Sequence, residues 1–405
     1  SNIDTLARNY SSWIKSESTA TTLAQDGADA FTATLRQTPG SEGQIATLIM
    51  GADAAWGESS GAVAPNALPQ RSLAQASTVE DIAAKIEAGG KVAFLLEHHG
   101  VDPDALALAS KISVRTGCRL FTGTFPARGD GGPGNPEVER LPYFPEQVLQ
   151  TLQGLDHLVL VGGETPASFF AYQGIPGQLV PEGCQVSRLT RVEEDAIDAL
   201  ARLAQRLGAE NETVKTFERR ETPKPTGELE TKTIIQAVAA TMPEGLIVAT
   251  DSGGGNAAHG FCQNSAANSW LALTGGAIGQ GGPVATGAAL ACPDRPVLAM
   301  LGDGGAAYTN QSFWTQAREN LNVTTLIFAN HSYNILNVEY ARLGVTEVGE
   351  IAASLFDIGK PELDWVAMAK GFGVPGAHAK DAEDLCRLLE ESYRTPGPFV
   401  IQARA

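Results

Sequence analysis

Residues 302–305 read Gly-Asp-Gly-Gly directly after the apolar run "PVLAML", and Asn330 ends a second apolar run, "TTLIFA", 27 positions after Asp303. Aspartate and asparagine both offer oxygen donors, and glycines flanking an aspartate let backbone N–H groups approach an anion closely. The Asp303 carboxylate, the Asn330 amide oxygen and the backbone carbonyl of Ser332 would make half of the octahedral oxygen shell of Mg2+, which usually completes that shell with phosphate and water. Spacing alone leaves a plainer reading open, in which Asp303 caps the next helix and Asn330 is a turn residue, because short glycine-rich βα turns are common.

These residues need a parallel sheet to position them. A short apolar run with Val and Leu reads as a buried parallel strand. Ligands in open α/β sheets bind at the carboxyl ends of such strands, where Asp303 and Asn330 both fall, one βαβ unit apart. The pattern around them is "TKTIIQAVAATMP" (helix), "GLIVATD" (strand), a glycine-rich stretch, "VATGAALACP" (helix), "PVLAML" (strand), "NQSFWTQAREN" (helix) and "VTTLIFAN" (strand), closing with "DWVAMAKGFG" and "PFVIQA". An earlier alternation runs from "VEDIAAKIEAG" and "KVAFLLE" through "DPDALALASKISVRTG", a helix with an aspartate cap, "RLFTGTF" and "PEQVLQTLQGL" to "DHLVLVGG" and the helix "EEDAIDALARLAQRLG". The layout expected is α/β, with tandem doubly wound parallel-sheet domains. Residues 78–208 form a central domain and 231–405 a second one, with linkers at 61–77 and 209–230. Residues 1–60 hold one helix (19–37) and one buried strand with its exit loop (43–56), too little for a domain of their own.

Composition narrows the partners. A net charge of −17 argues against nucleic acid and anionic membrane surfaces. No apolar run approaches ~18 residues, so no membrane span is expected. The five cysteines are scattered, odd in number and form no CxxC, which fits a reducing, cytoplasmic setting better than a disulfide framework or a zinc site. No glycine loop is followed by Gly-Lys-Ser/Thr, which excludes a P-loop.

Residues 273–336, with GDGG and the Asn330 segment in register across a whole domain, resemble the cofactor-binding core of thiamine diphosphate (ThDP)-dependent 2-oxo acid enzymes. Within them the chain is most similar to acetolactate synthase large subunits, nearest a subgroup close to benzoylformate decarboxylase, which "ERLPYFPEQ" (139–147) also resembles. The similarity covers essentially the whole chain. It implies that Asp303 and Asn330 bind Mg2+ through their side chains and Ser332 through its carbonyl. Ser252, Gly253 and Gly254 in "TDSGGGN" match the loop on the terminal phosphate. Gly304 and Gly305 match the diphosphate turn; many relatives have serine at the second of these positions, and here only its backbone N–H remains. Ile278 matches the apolar wedge that bends the cofactor, Gly276 offers its carbonyl to the aminopyrimidine, and Tyr333 and Asn334 match pocket residues. The reaction implied is loss of CO2 from a small-molecule 2-oxo acid, giving an aldehyde or, by attack on a second carbonyl, a 2-hydroxyketone; pyruvate giving 2-acetolactate is the acetolactate synthase case.

The resemblance also implies a pyrimidine-binding domain carrying an essential glutamate. Residues 1–60 match only its C-terminal remnant, with "GQIATLIMGADAAW" like its last strand. Glu17, Glu42 and Glu58 all follow the place where the glutamate belongs, so that catalytic role is assigned to no residue, and the chain is expected to be N-terminally truncated and inactive alone. A homodimer or homotetramer is expected, because the two domain types meet across subunits. The loop 123–134 departs from an FAD binder and argues against FAD. His98 and His99 are expected in a loop beside a vestigial nucleotide site. His259 and His331 are expected near the cofactor, with His331 the better supporting residue. Two other classes compete. A cofactor-binding protein without chemistry fits the absent glutamate. A nicotinamide oxidoreductase would use "GDGGAA", but the next strand ends in Asn330, 26 residues past Gly304, where an acidic residue about 20 positions on is needed.

Overall fold

A computed structural model describes residues 2–404. The chain divides into two compact units, Ser1–Phe121 with Leu149–Ala167 and Gln178–Thr213, and Thr122–Val148 with Ser168–Gly177 and Val214–Ala405. The stretches 122–148 and 168–177, which the sequence reading places in the 78–208 domain, cluster with the second unit.

In the first unit, β1 (Trp13–Ser18) and β2 (Ala46–Met50) form a two-stranded parallel sheet. The sequence reading expects a buried strand here. Instead β2 is half-buried and ends in an exposed Met50, because a two-stranded sheet leaves most of its surface uncovered. Its partner "WIKSES" carries too few apolar residues to announce itself. The region before residue 60 thus holds two strands and the helices Ile3–Ala7, Leu23–Thr34 and Ala52–Trp56. Further on come β3 (Val92–Leu96) and β4 (Arg119–Thr122), then β5 (Gly129–Gly131) and β6 (Glu139–Arg140) among residues of the second unit, and then β7 (His157–Val161) and β8 (Gln185–Thr190). The strands of the first unit follow the order β4-β3-β7-β8. Helices Ala76–Glu87, Pro103–Thr116 and Ala196–Arg206 accompany them. Asp102 occupies the N-cap position of Pro103–Thr116 but its side chain bonds no helix N–H; it faces His99 Nε2 at 3.3 Å instead.

The second unit is built on β9 (Leu246–Thr250), β10 (Asn268–Leu271), β11 (Val297–Gly302), β12 (Val323–Ala329), β13 (Gly376–Ala379) and β14 (Phe399–Arg404). Their order is β13-β14-β12-β11-β9-β10-β5, with β5 antiparallel to β10 and the other pairs parallel. β5 lies in the 123–134 loop of the sequence reading. Side chains alternate between two cores, as the period of two requires. Leu298 and Met300 of β11 pack with helices Thr231–Thr241 and Ala382–Arg394, whereas Val297, Ala299 and Leu301 face helices Gly281–Ala291, Ser312–Arg318 and Trp365–Gly371. Covered on both faces, β9 and β12 are buried throughout.

Helix Asn334–Arg342 is held differently: none of its residues is buried. Arg342 donates to both Glu146 carboxylate oxygens at 2.6 and 3.0 Å, and its guanidinium lies 4.4 Å from the Phe144 ring centroid and 4.3 Å from that of Tyr172. The Tyr172 hydroxyl donates to Glu339 on the same helix. A bidentate pair between two aromatic faces exceeds an ordinary surface ion pair. Arg342→Met should therefore cost about 1–2 kcal/mol, and a thermal double-mutant cycle with Glu146→Gln should return most of that as coupling; additive losses would show that the clamp contributes little. Among the described residues no helix is long and apolar enough to cross a membrane.

Candidate active site

Strand register brings the site residues to one edge. Met300 pairs with Thr250 and Gly302 with Phe328, so the carboxyl ends of β9, β11 and β12 stand side by side and release Asp251, Asp303 and Asn330 together. The Asp303 side chain is buried, with Oδ1 accepting from the Gly304 N–H at 2.9 Å and Oδ2 from the His331 N–H at 2.6 Å. Burial pushes its carboxyl above the usual carboxylate range, and the two N–H bonds and nearby His331 oppose that shift. His331 holds a left-handed φ of 54°. The helix-capping reading of Asp303 holds only in part: the short helix Asp303–Ala306 has Gly302 at its N-cap, but the carboxylate of Asp303, its first residue, accepts from the N–H of Gly304 in the first turn. The turn reading of Asn330 does hold, since its Oδ1 accepts from the Ser332 N–H at 3.0 Å. The two segments are thus joined, Asp303 reaching across to the turn that carries Asn330 and Ser332.

Ser252 is the N-cap of helix Gly253–Cys262; its hydroxyl accepts from the Gly255 N–H at 3.0 Å and donates to the Met300 carbonyl at 3.2 Å. The sequence reading places a loop at 252–254, whereas these residues open a helix. With the hydroxyl committed, the first-turn N–H groups of Gly253 and Gly254 are what the helix start presents to an anion. Neither close approach tolerates a side chain: a Cβ at Gly254 would stand 2.9 Å from the Phe328 ring, and one at Gly304 2.7 Å from the Tyr333 ring.

Residues 274–278 are exposed, with Gly275 and Gly276 at φ of 63° and 66°. Ile278 is exposed at the end of this stretch, and the Gly276 carbonyl accepts from the Ile278 N–H at 3.0 Å. The residue the sequence reading passes over is Asp251. It is buried, and its Oδ2 accepts from the N–H groups of Gly279 at 2.9 Å and Gly281 at 3.1 Å. Its signal was the one used for Asp303, an aspartate ending an apolar parallel strand. The histidines separate. His331 meets Asp303 through its backbone and turns its ring toward Glu362. His259 is buried edge-to-face against Trp270, at 5.3 Å between ring centroids. In the first unit, His98 Nδ1 lies 3.0 Å from Glu42 Oε2, whose other oxygen accepts from Arg71, and His99 Nδ1 accepts from the Ala196 N–H. Asn334 is exposed at the start of its helix.

The donor set fits a hard cation carrying a diphosphate. It offers oxygen only, around one buried carboxylate that a cation would relieve, beside a helix start with free N–H groups. Among the described residues no three His, Cys, Asp or Glu side chains gather into a metal site. Residues 252–403 match the thiamine pyrophosphate enzyme, C-terminal TPP binding domain, family. The chain is 40% identical over 404 residues, 99% of its length and 76% of the relative's, to a Mycobacterium tuberculosis protein named "Putative acetolactate synthase large subunit IlvX". It is 29% identical over 280 residues to the benzoylformate decarboxylase of Pseudomonas aeruginosa, covering 65% of this chain and 51% of that one. The fold matches the Rhodococcus jostii RHA1 thiamine diphosphate-dependent 4-hydroxybenzoylformate decarboxylase with a TM-score of 0.80 at 21% identity, over 100% of this chain and 78% of the other. The 40% identity across almost the whole chain, together with the 252–403 match, places it in the ThDP enzyme class. More narrowly, the chain belongs to the ThDP-dependent 2-oxo acid enzyme family, among proteins like the acetolactate synthase large subunit.

Proposed function

We propose that this chain binds ThDP through Mg2+ and serves the decarboxylation of a 2-oxo acid with carboligation, in the manner of acetolactate synthase, pyruvate giving 2-acetolactate, with no turnover expected of the chain by itself because none of its residues is assigned the essential glutamate's role. The observation that carries the reading is the junction at Asp303, whose carboxylate ends one parallel strand and bonds the backbone of the turn ending the next. Asp303, Asn330 and the Ser332 carbonyl would hold the metal. Ser252, Gly253, Gly254, Gly304 and Gly305 would frame the diphosphate. Gly276 and Ile278 would meet the ring end, and Tyr333 would pack over the turn. The bound cofactor supplies the electron sink for loss of CO2. Assembly as a homodimer or homotetramer belongs to the same reading. It is supported by Ile351 and Leu355, 83% and 69% exposed on helix Glu350–Phe356, an apolar area of the kind another copy covers.

Calorimetric titration of ThDP with and without Mg2+ tests the site. Binding is expected only with the metal and should weaken at least about a hundredfold in Asp303→Ala, the scale of a lost charged ligand. Metal-independent binding, or an unchanged affinity in the variant, overturns the assignment. With a pyrimidine-binding domain added to supply the essential glutamate, the products then decide the reaction: 2-acetolactate from pyruvate supports carboligation, whereas benzaldehyde from benzoylformate with no acetolactate supports the decarboxylase reading.

A further inference from the structure

Three segments that frame the proposed cofactor site meet at one carboxylate that none of the assigned roles uses. Asp251 precedes Ser252 at the end of β9. Its Oδ2 takes the N–H groups of both Gly279 and Gly281, the two buried residues just after the exposed stretch 274–278. A Cβ on Gly305 would come within 3.1 Å of its Oδ1, so the carboxylate also underlies the diphosphate turn. Oδ1 is buried and accepts no hydrogen bond among the described residues. Packing alone gives no reason to retain such a group, because a buried acid with one unsatisfied oxygen costs stability that a neutral residue would not.

The loop it holds needs an anchor. Gly275, Gly276 and Gly279 all have left-handed φ, and a glycine-rich loop loses the most entropy on being fixed. From the other side the Thr309 hydroxyl donates to the Gly279 carbonyl. Gly279 is therefore pinned at both of its polar groups, and one of its two partners is Asp251. Gly276 and Ile278 lie one to three residues upstream of that pin, so their height above the turn at 302–305 follows from it.

We propose that Asp251 is the positioning residue of the ring-binding loop, fixing Gly276 and Ile278 relative to the diphosphate turn while contacting neither metal nor diphosphate. The inference rests on the cofactor reading above. It predicts a split between two probes. ThDP engages both the loop and the turn, whereas inorganic pyrophosphate with Mg2+ engages only the turn and the metal residues. In Asp251→Ala the affinity for Mg-ThDP should fall about ten- to a hundredfold, as for two lost hydrogen bonds to a charged acceptor, while Mg-pyrophosphate binding changes less than about twofold. Asp251→Asn keeps one oxygen acceptor for both N–H groups and should restore ThDP binding to within about threefold of wild type. Equal weakening of both probes in Asp251→Ala would reduce Asp251 to a general structural role, and no weakening of either would remove it from the site. In both cases Mg-dependent ThDP binding by the wild type would leave the cofactor reading standing. If the wild type binds neither probe, the cofactor reading falls and this inference falls with it.

Discussion

Gly255→Ala is expected to cost about 3 kcal/mol of stability, the upper end of overpacking in a filled core, and to abolish cofactor binding. A Cβ at this position would lie 1.8 Å from Thr250 Oγ1 and 2.8 Å from Thr250 Cβ. Rotating Thr250 relieves the first contact but not the second, and it breaks the bond the hydroxyl donates to the Met300 carbonyl at 3.0 Å. The backbone must therefore move where β9 passes into helix Gly253–Cys262, the corner that aims the N–H groups of Gly253 and Gly254. Thermal unfolding measures the first effect and ThDP titration the second. Adding Thr250→Gly should recover only part of the loss, because it removes the atoms in conflict but also the buried hydroxyl that bonds the Met300 carbonyl. A Gly255→Ala protein as stable as wild type would show that this corner is loose.

Acid should destabilise the protein through His259. Burial, assisted by the nearby charge of Arg140, pushes the imidazole from its ordinary 6.5 down to about 3. A base depressed in the folded state takes up fewer protons than the unfolded chain, so its contribution to stability is complete above pH 6.5 and is lost as the pH falls toward 3. The loss is about 1.4 kcal/mol per pH unit, or about 2 kcal/mol between neutrality and pH 5. Urea unfolding of the wild type and of His259→Phe, which keeps a ring against Trp270, isolates this group from the other titrating side chains. The wild-type curve should fall more steeply with acid by that amount. Parallel curves would mean that His259 is protonated in the fold or reached by water.

What could be read from the sequence followed apolar continuity. β9, β11 and β12 are covered on both faces, so their runs of Val, Leu, Ile and Ala announce buried parallel strands, and Asp303 and Asn330 could be placed on one edge from those runs alone. β1, β5 and β8 carry polar or glycine-rich strings, "WIKSES", "GDG" and "QVSRLT", whose pairing comes from their neighbours rather than from any pattern of their own. Helix Ala382–Arg394 is absent from the sequence reading although Asp381 caps it and Leu385, Leu388 and Leu389 mark its buried stripe. Asp251 ends an apolar strand just as Asp303 does, so its place on the edge is legible, but its bonds to Gly279 and Gly281 arise only when a loop almost thirty residues away folds back on it, and no local spacing records those.

The clamp on helix Asn334–Arg342 has a dynamic consequence. With none of its residues fully buried, the helix can leave its seat with little loss of core, so its opening free energy is set chiefly by the Arg342–Glu146 and Tyr172–Glu339 contacts and by the ring contact of Tyr340 with Phe356. Such a segment opens far more often than the sheet beneath it. Because salt screens the charged contacts while leaving β11 and β12 untouched, ionic strength would tune how long the chain beyond Tyr333 stays open with little change in the global melting temperature.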